Sequence, residues 1–182
     1  GNFLKADDYL ALTNGKNYTP LQALLGQIIF SWTKIEKSKL NFTEAQNVFK
    51  LINPKYKNIK KINNVFLNCY FDTPNLEMEF RNLINEKDTD FSRYTFFYVN
   101  YLIEKESFKK ANSILTTKLD EVPRNLLLNQ LYSDINFEKQ NYLQNNFDCK
   151  DVSNIIAELF YITANALSTQ GLYSASNFYI NL

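Results

Sequence analysis

An aromatic residue, a small residue three positions on and a large apolar residue four beyond that recur four times in this chain. The copies are Phe3/Ala6/Leu10, Phe42/Ala45/Phe49, Phe108/Ala111/Leu115 and Tyr173/Ser176/Ile180. The offsets place all three side chains on one face of a helix. The leading aromatics stand 39, 66 and 65 residues apart. The last two intervals each span about two periods of roughly 34 residues, and the first is one period with a small insertion. A period of that size belongs to chains in which each supersecondary unit buries its apolar face on the next. Only 4 Gly and 4 Pro are present. Obligatory turns are therefore few, which favours helices over a many-stranded sheet.

The clearest copy is residues 157–182. Phe160, Ala164 and Leu167 form one apolar run, and Tyr173, Ser176 and Ile180 form another, across Thr169-Gln170-Gly171-Leu172. Gly171 is expected in a left-handed turn, letting the second helix fold back. This hairpin resembles a tetratricopeptide repeat, which places large, small and aromatic residues at fixed offsets. The resemblance implies an all-α fold, specifically a right-handed α-solenoid of antiparallel helix hairpins. Its approximate units are a half repeat at 1–19, then 20–54, 55–88, 89–123, an irregular helix with an insertion at 124–150, and 151–182. Phe3 to Leu10 reads as a second helix already under way, and Leu182 lies inside another. Both ends read as cut from a longer array. Arrangement and divergence resemble bacterial repeat proteins, some of them associated with the cell envelope.

Between those anchors the reading is coarser. Leu21 to Ile35 is almost continuously apolar, as suits a helix covered on several sides. Glu36–Asn41 reads as a polar connection longer than a tight turn, followed by a helix ending at Asn53-Pro54. Ile59, Ile62, Val65, Phe66, Cys69 and Tyr70 share one helical face. Asp72-Thr73-Pro74 supplies a break before Leu76, Phe80 and Leu83. Asp90 is a candidate helix cap. Thr95 and Val99 stand where the repeat usually has a large aromatic and a small residue. Leu126 to Ile135 makes a further helix, and the Asn-rich segment 137–154 carries no second-helix signature.

Much chemistry is excluded by composition. The chain has no His, which removes His-based triads, His bases and most zinc sites. The four glycines are isolated, so no phosphate-cradling loop is present. Glu77/Glu79 and Glu104/Glu106 are two apart on different sides of a helix and read as solvated charges. A net charge of +1 gives no footprint for nucleic acid or an anionic membrane. The one basic run, Lys55 to Lys61, fits a solvated helix start. No stretch is long and apolar enough to span a membrane. Cys69 and Cys149 match neither a metal knuckle nor a redox pair. The first reading is two buried free thiols, and the alternative is one disulfide in an oxidising compartment.

These readings lead to a protein-interaction scaffold without catalysis, cofactor or metal, binding a peptide or protein partner of unspecified identity. First helices of such an array line its concave face. The residues expected there are Phe30, Arg93, Phe96, Asn100, Glu158, Tyr161 and Asn165. One tetratricopeptide subclass clamps a partner's terminal carboxylate. Asn100 and Asn165 match its asparagine sites, whereas Phe96 and Tyr161 stand where its lysine belongs, which argues against that clamp here. The alternative is a structural oligomerisation or targeting arm of a larger protein, including self-association through uncapped terminal helices.

Overall fold

Thr19 opens the first helix with a reciprocal cap: its hydroxyl accepts from the Gln22 amide and Gln22 Oε1 accepts from the Thr19 amide. Asn41 and Glu44 repeat the device at the second helix, and Asp151 accepts from Ser153 N at another. The computed structural model describes residues 19–87, 89–136 and 147–182. Among them are nine α-helices and no strand, so the all-α expectation holds. In chain order the helices are α1 (Pro20–Ser38), α2 (Phe42–Phe49), α3 (Lys57–Tyr70), α4 (Leu76–Ile84), α5 (Ser92–Glu104), α6 (Phe108–Glu121), α7 (Leu126–Asn136), α8 (Val152–Thr169) and α9 (Tyr173–Ile180). A short 3-10 turn, Pro54–Tyr56, precedes α3. The predicted half repeat at the N-terminus and most of the Asn-rich insertion lie outside the described residues.

Three hairpin turns share one geometry. Gly171 takes φ +75°, with Leu172 N bonded to Leu167 O at 3.0 Å, as expected for a left-handed helix end. Lys39 (φ 46°) and Glu106 (φ 56°) do the same without glycine, with bonds from Leu40 to Ile35 and from Ser107 to Leu102. Left-handed Lys39 explains one correction. The first half of the predicted long connection at 36–41 is helix, which runs to Ser38, and the turn itself is tight. A second correction follows at α2, which ends at Phe49 and not at Asn53. Buried Ile52 anchors the chain there. Asp90 acts through Ser92, accepting from its amide at 2.9 Å, while Phe91 occupies the cap position.

The described residues divide into two compact units, one formed by those up to Phe71 together with Asp148–Leu182 and the other by those between Asp72 and Phe147. In the discontinuous unit, α1 packs on α2, α2 on α3, and α8 on both α9 and α1. Its core centres on Trp32, which is fully buried with its ring edge-on to Phe49 and Tyr70. Trp32 Nε1 donates to Asn63 Oδ1 at 2.8 Å, and Asn63 Nδ2 donates to Ile59 O. The buried indole N–H and the Asn63 amide thus both have partners, as a dry core requires. Cys69 and Cys149 are joined in a disulfide, with Cα atoms 5.9 Å apart. The free-thiol reading is thereby corrected: folding brings together positions whose spacing carried no motif. Lys150 Nζ donates to Tyr70 O beside this bond. The pair sits where the chain leaves this unit after Phe71 and re-enters it at Asp148.

In the continuous unit α5 is central, packing on α4, α6 and α7. Nine of its thirteen residues are buried. Phe80 stacks on Tyr98 with centroids 5.0 Å apart, and Phe97 stacks on Phe147 at 4.5 Å. Ala111 is fully buried, as close helix approach demands. Thr95 and Val99, the departures from the repeat pattern, are also wholly buried.

Candidate functional site

The seven expected concave-face residues fall in both units and differ in accessibility. In the discontinuous unit Phe30 is 43% exposed and Asn165 is exposed, Tyr161 is partly buried, and Glu158 is buried. Tyr161 and Asn165, four apart on α8, share a helix face. In the continuous unit Arg93 lies over the Phe97 ring at 5.1 Å. Phe96 and Asn100 are buried, and Asn100 Nδ2 donates to Phe96 O at 2.8 Å within the same helix. As placed, Phe96, Asn100 and Glu158 serve packing and offer little surface to a partner.

Two other surfaces stand out. The first is the end of the α8–α9 hairpin. Residues 159–182 contain no Asp, Glu, Lys or Arg. Tyr173, Phe178 and Leu182 are each 60% exposed or more, and Leu172 and Ile180 each 51%. No residue of α9 is buried, although Phe160 meets the Tyr179 ring at 6.1 Å. Apolar side chains collected on an uncharged face leave a hydrophobic area that water solvates poorly.

The second is a charged furrow in the continuous unit, where α4 and α6 both pack on α5. An open cleft of ≈ 540 Å³ is lined by Thr73, Pro74, Met78, Arg81, Tyr101 and Lys110, among others. Arg81 also borders a neighbouring cavity of ≈ 260 Å³ with Ile84, Ile114 and Thr117. A chain of polar contacts crosses the floor. Lys110 Nζ pairs with Glu77 Oε2, Tyr98 Oη donates to the same carboxylate at 3.5 Å, and Arg81 Nε donates to Tyr98 Oη at 3.3 Å. That last bond holds the guanidinium still more firmly charged. Burial, with Asp72 and Glu77 nearby, raises the Tyr101 phenol. Glu77 is therefore not a plain solvated charge, which corrects the reading of its pair with Glu79. Its partner lies 33 residues away, close to one repeat length, so the period itself was the signal that could have found it.

Among the described residues no group of three or more His, Cys, Asp and Glu could hold a metal ion. Within the same residues no helix is long and apolar enough to cross a membrane. Compared with family models, curated proteins and solved structures, the chain matches none.

Proposed function

We propose that this chain is a protein-binding scaffold, built as a right-handed α-solenoid of tetratricopeptide-like helix hairpins, and that it performs no catalysis. The observation that carries the reading is the uncharged α9 surface, where large apolar side chains stand in solvent. Burying them against a partner recovers about 25 cal/mol per Å² of apolar area. Support for the array comes from long-range side-chain links of nearly one period. Trp32–Asn63 spans 31 residues, Glu36–Tyr70 spans 34 and Glu77–Lys110 spans 33. Stacked hairpins bring equivalent positions of successive units together in this way. Two links depart from strict succession: the α1–α8 contact ties the last hairpin to the first, and the disulfide ties the segment before α8 to α3. Phe30, Arg93, Tyr161 and Asn165 remain the accessible members of the expected binding set.

The test is affinity capture from the native source with the intact protein, against a variant carrying Tyr173→Ser, Phe178→Ser and Ile180→Ser. These positions are exposed, so the variant is expected to fold and to lose its captured partner. An unchanged set of captured proteins would remove α9 as the binding face. Sedimentation of both forms separates the alternative, an oligomerisation arm. Concentration-dependent dimers abolished by the same substitutions, with no other protein captured, would favour that alternative.

A further inference from the structure

We infer that the furrow between α4 and α6 binds an aspartate or glutamate side chain of an extended peptide segment, with Arg81 as its anchor. This deepens the protein-binding reading and rests on it. Around the furrow, Lys110 is matched by Glu77, and Lys118 by Glu121 at 2.7 Å. Glu77, one turn back on α4, acts on Arg81 through its charge. No carboxylate lies within ion-pair distance of the guanidinium among the described residues, however, and its one side-chain hydrogen bond uses Nε. The two terminal amino groups stay available, in the fork geometry that suits a carboxylate. Tyr98, wholly buried and stacked on Phe80, sets the position of Nε. The guanidinium is thus held in place before any ligand arrives, which lowers the ordering cost of binding.

Charge and shape narrow the ligand. A carboxylate on Arg81 extends the alternation Lys110, Glu77, Tyr98, Arg81 by one anion. A phosphate dianion would meet Glu77 in the same cleft and Asp72 beside Tyr101. Pro74, Tyr101 and Met78, the last 52% exposed, give an apolar rim for residues flanking the acid. The cleft is open, and Arg81 separates it from the second cavity with Ile84 and Ile114. Two adjoining open cavities suit consecutive side chains of a strand-like segment better than one enclosed small molecule.

The experiment is NMR titration of the full chain with terminally blocked peptides of the form acetyl-Leu-Glu-Leu-Asp-Leu-amide. The chain has three arginines, Arg81, Arg93 and Arg124, so few Nε–Hε signals need assignment. The Arg81 signal is expected to shift and saturate. The Gln/Asn version of the peptide is expected to bind about tenfold or more weakly, as the loss of a charge-assisted contact implies. Arg81→Gln should abolish the acidic preference. Tyr98→Phe should weaken it several-fold, with circular dichroism confirming that the helices persist. Equal binding of acidic and amide peptides, no shift with either, or retained preference in Arg81→Gln would overturn the assignment. So would binding of a free-acid pentaleucine, which carries a carboxylate only at its terminus. If partners are captured through α9 while Arg81 stays silent, the scaffold reading stands and this one fails.

Discussion

The two units use the same kind of helix hairpin and are held together differently. The 72–147 unit is one unbroken segment whose helices pack on near neighbours in sequence. Its contacts close short loops, so each costs little chain entropy. The other unit joins residues 1–71 to 148–182, and its α1–α8 contact must close a loop of more than a hundred residues. It carries a covalent bond between Cys69 and Cys149, 80 residues apart, and the buried Trp32–Asn63 hydrogen bond. Their surfaces diverge as well. One presents a charged furrow, the other a neutral aromatic end. The difference is one of loop closure: contacts between sequence neighbours need no cross-link, whereas a disulfide staple in the discontinuous unit offsets part of its larger closure cost.

The largest expected effect tests that staple. Cys69→Ser with Cys149→Ser should destabilise the discontinuous unit by about 4 kcal/mol, the entropy of releasing so long a loop. Trp32 is the only Trp in the chain, so its fluorescence in a denaturant titration reports on this unit. An unmoved midpoint would mean that the bond is dispensable and the contrast is wrong. Next, Asn63→Ala leaves the Trp32 N–H buried without an acceptor and should cost about 1–3 kcal/mol by the same probe. In the continuous unit, Ala111→Leu should overpack α6 against α5 by about 1–3 kcal/mol, read by far-ultraviolet circular dichroism. Tolerance there would show that its helices are more loosely stacked than their burial implies.

Smaller effects concern the turns and one buried edge. Gly171→Ala should cost about 1 kcal/mol and Glu106→Gly should gain roughly 0.5 kcal/mol, since both residues hold positive φ. Thermal melts of the two variants check the opposite signs. The Glu36–Tyr70 hydrogen bond, 2.5 Å long, gives a pH signature. Lys39 first, then Tyr70, lowers the Glu36 carboxyl below its ordinary 4.5. Its contribution is present above that value and lost as pH falls through the lowered one. Burial, then Glu36, pushes the Tyr70 phenol up to about 12 from 10.0. That contribution is present below pH 10 and lost as pH rises toward 12. Tyr70→Phe should flatten the alkaline limb, and a limb unchanged by it would assign the effect elsewhere.

What was legible in the chain were features whose physics is local. Gly171 announced its left-handed turn because a glycine there relieves a Cβ clash. Of the small residues in the recurring triplet, Ala45 and Ala111 are fully buried, whereas Ser176 is only half-buried. Lys39 and Glu106 take the same backbone conformation with no residue-type signal, so nothing in the sequence at 36–41 marks the turn as tight. The binding residues were harder. Phe96 and Asn100 look like a recognition pair in sequence, yet α5 is enclosed on most sides and buries them. Arg81 carries no signal in the sequence because its setting is assembled from α4, α5 and α6, and no single helix face contains it.

Apolar spacing alone therefore determined that the described residues are helical, since that spacing acts through the geometry of a single helix. Tertiary structure decided which cysteines meet, which aromatics vanish into the core and that the Arg81 side chain borders a cleft. Those outcomes depend on contacts between residues 17 to 80 positions apart. No local pattern encodes such distances, because only the packed helices bring them together.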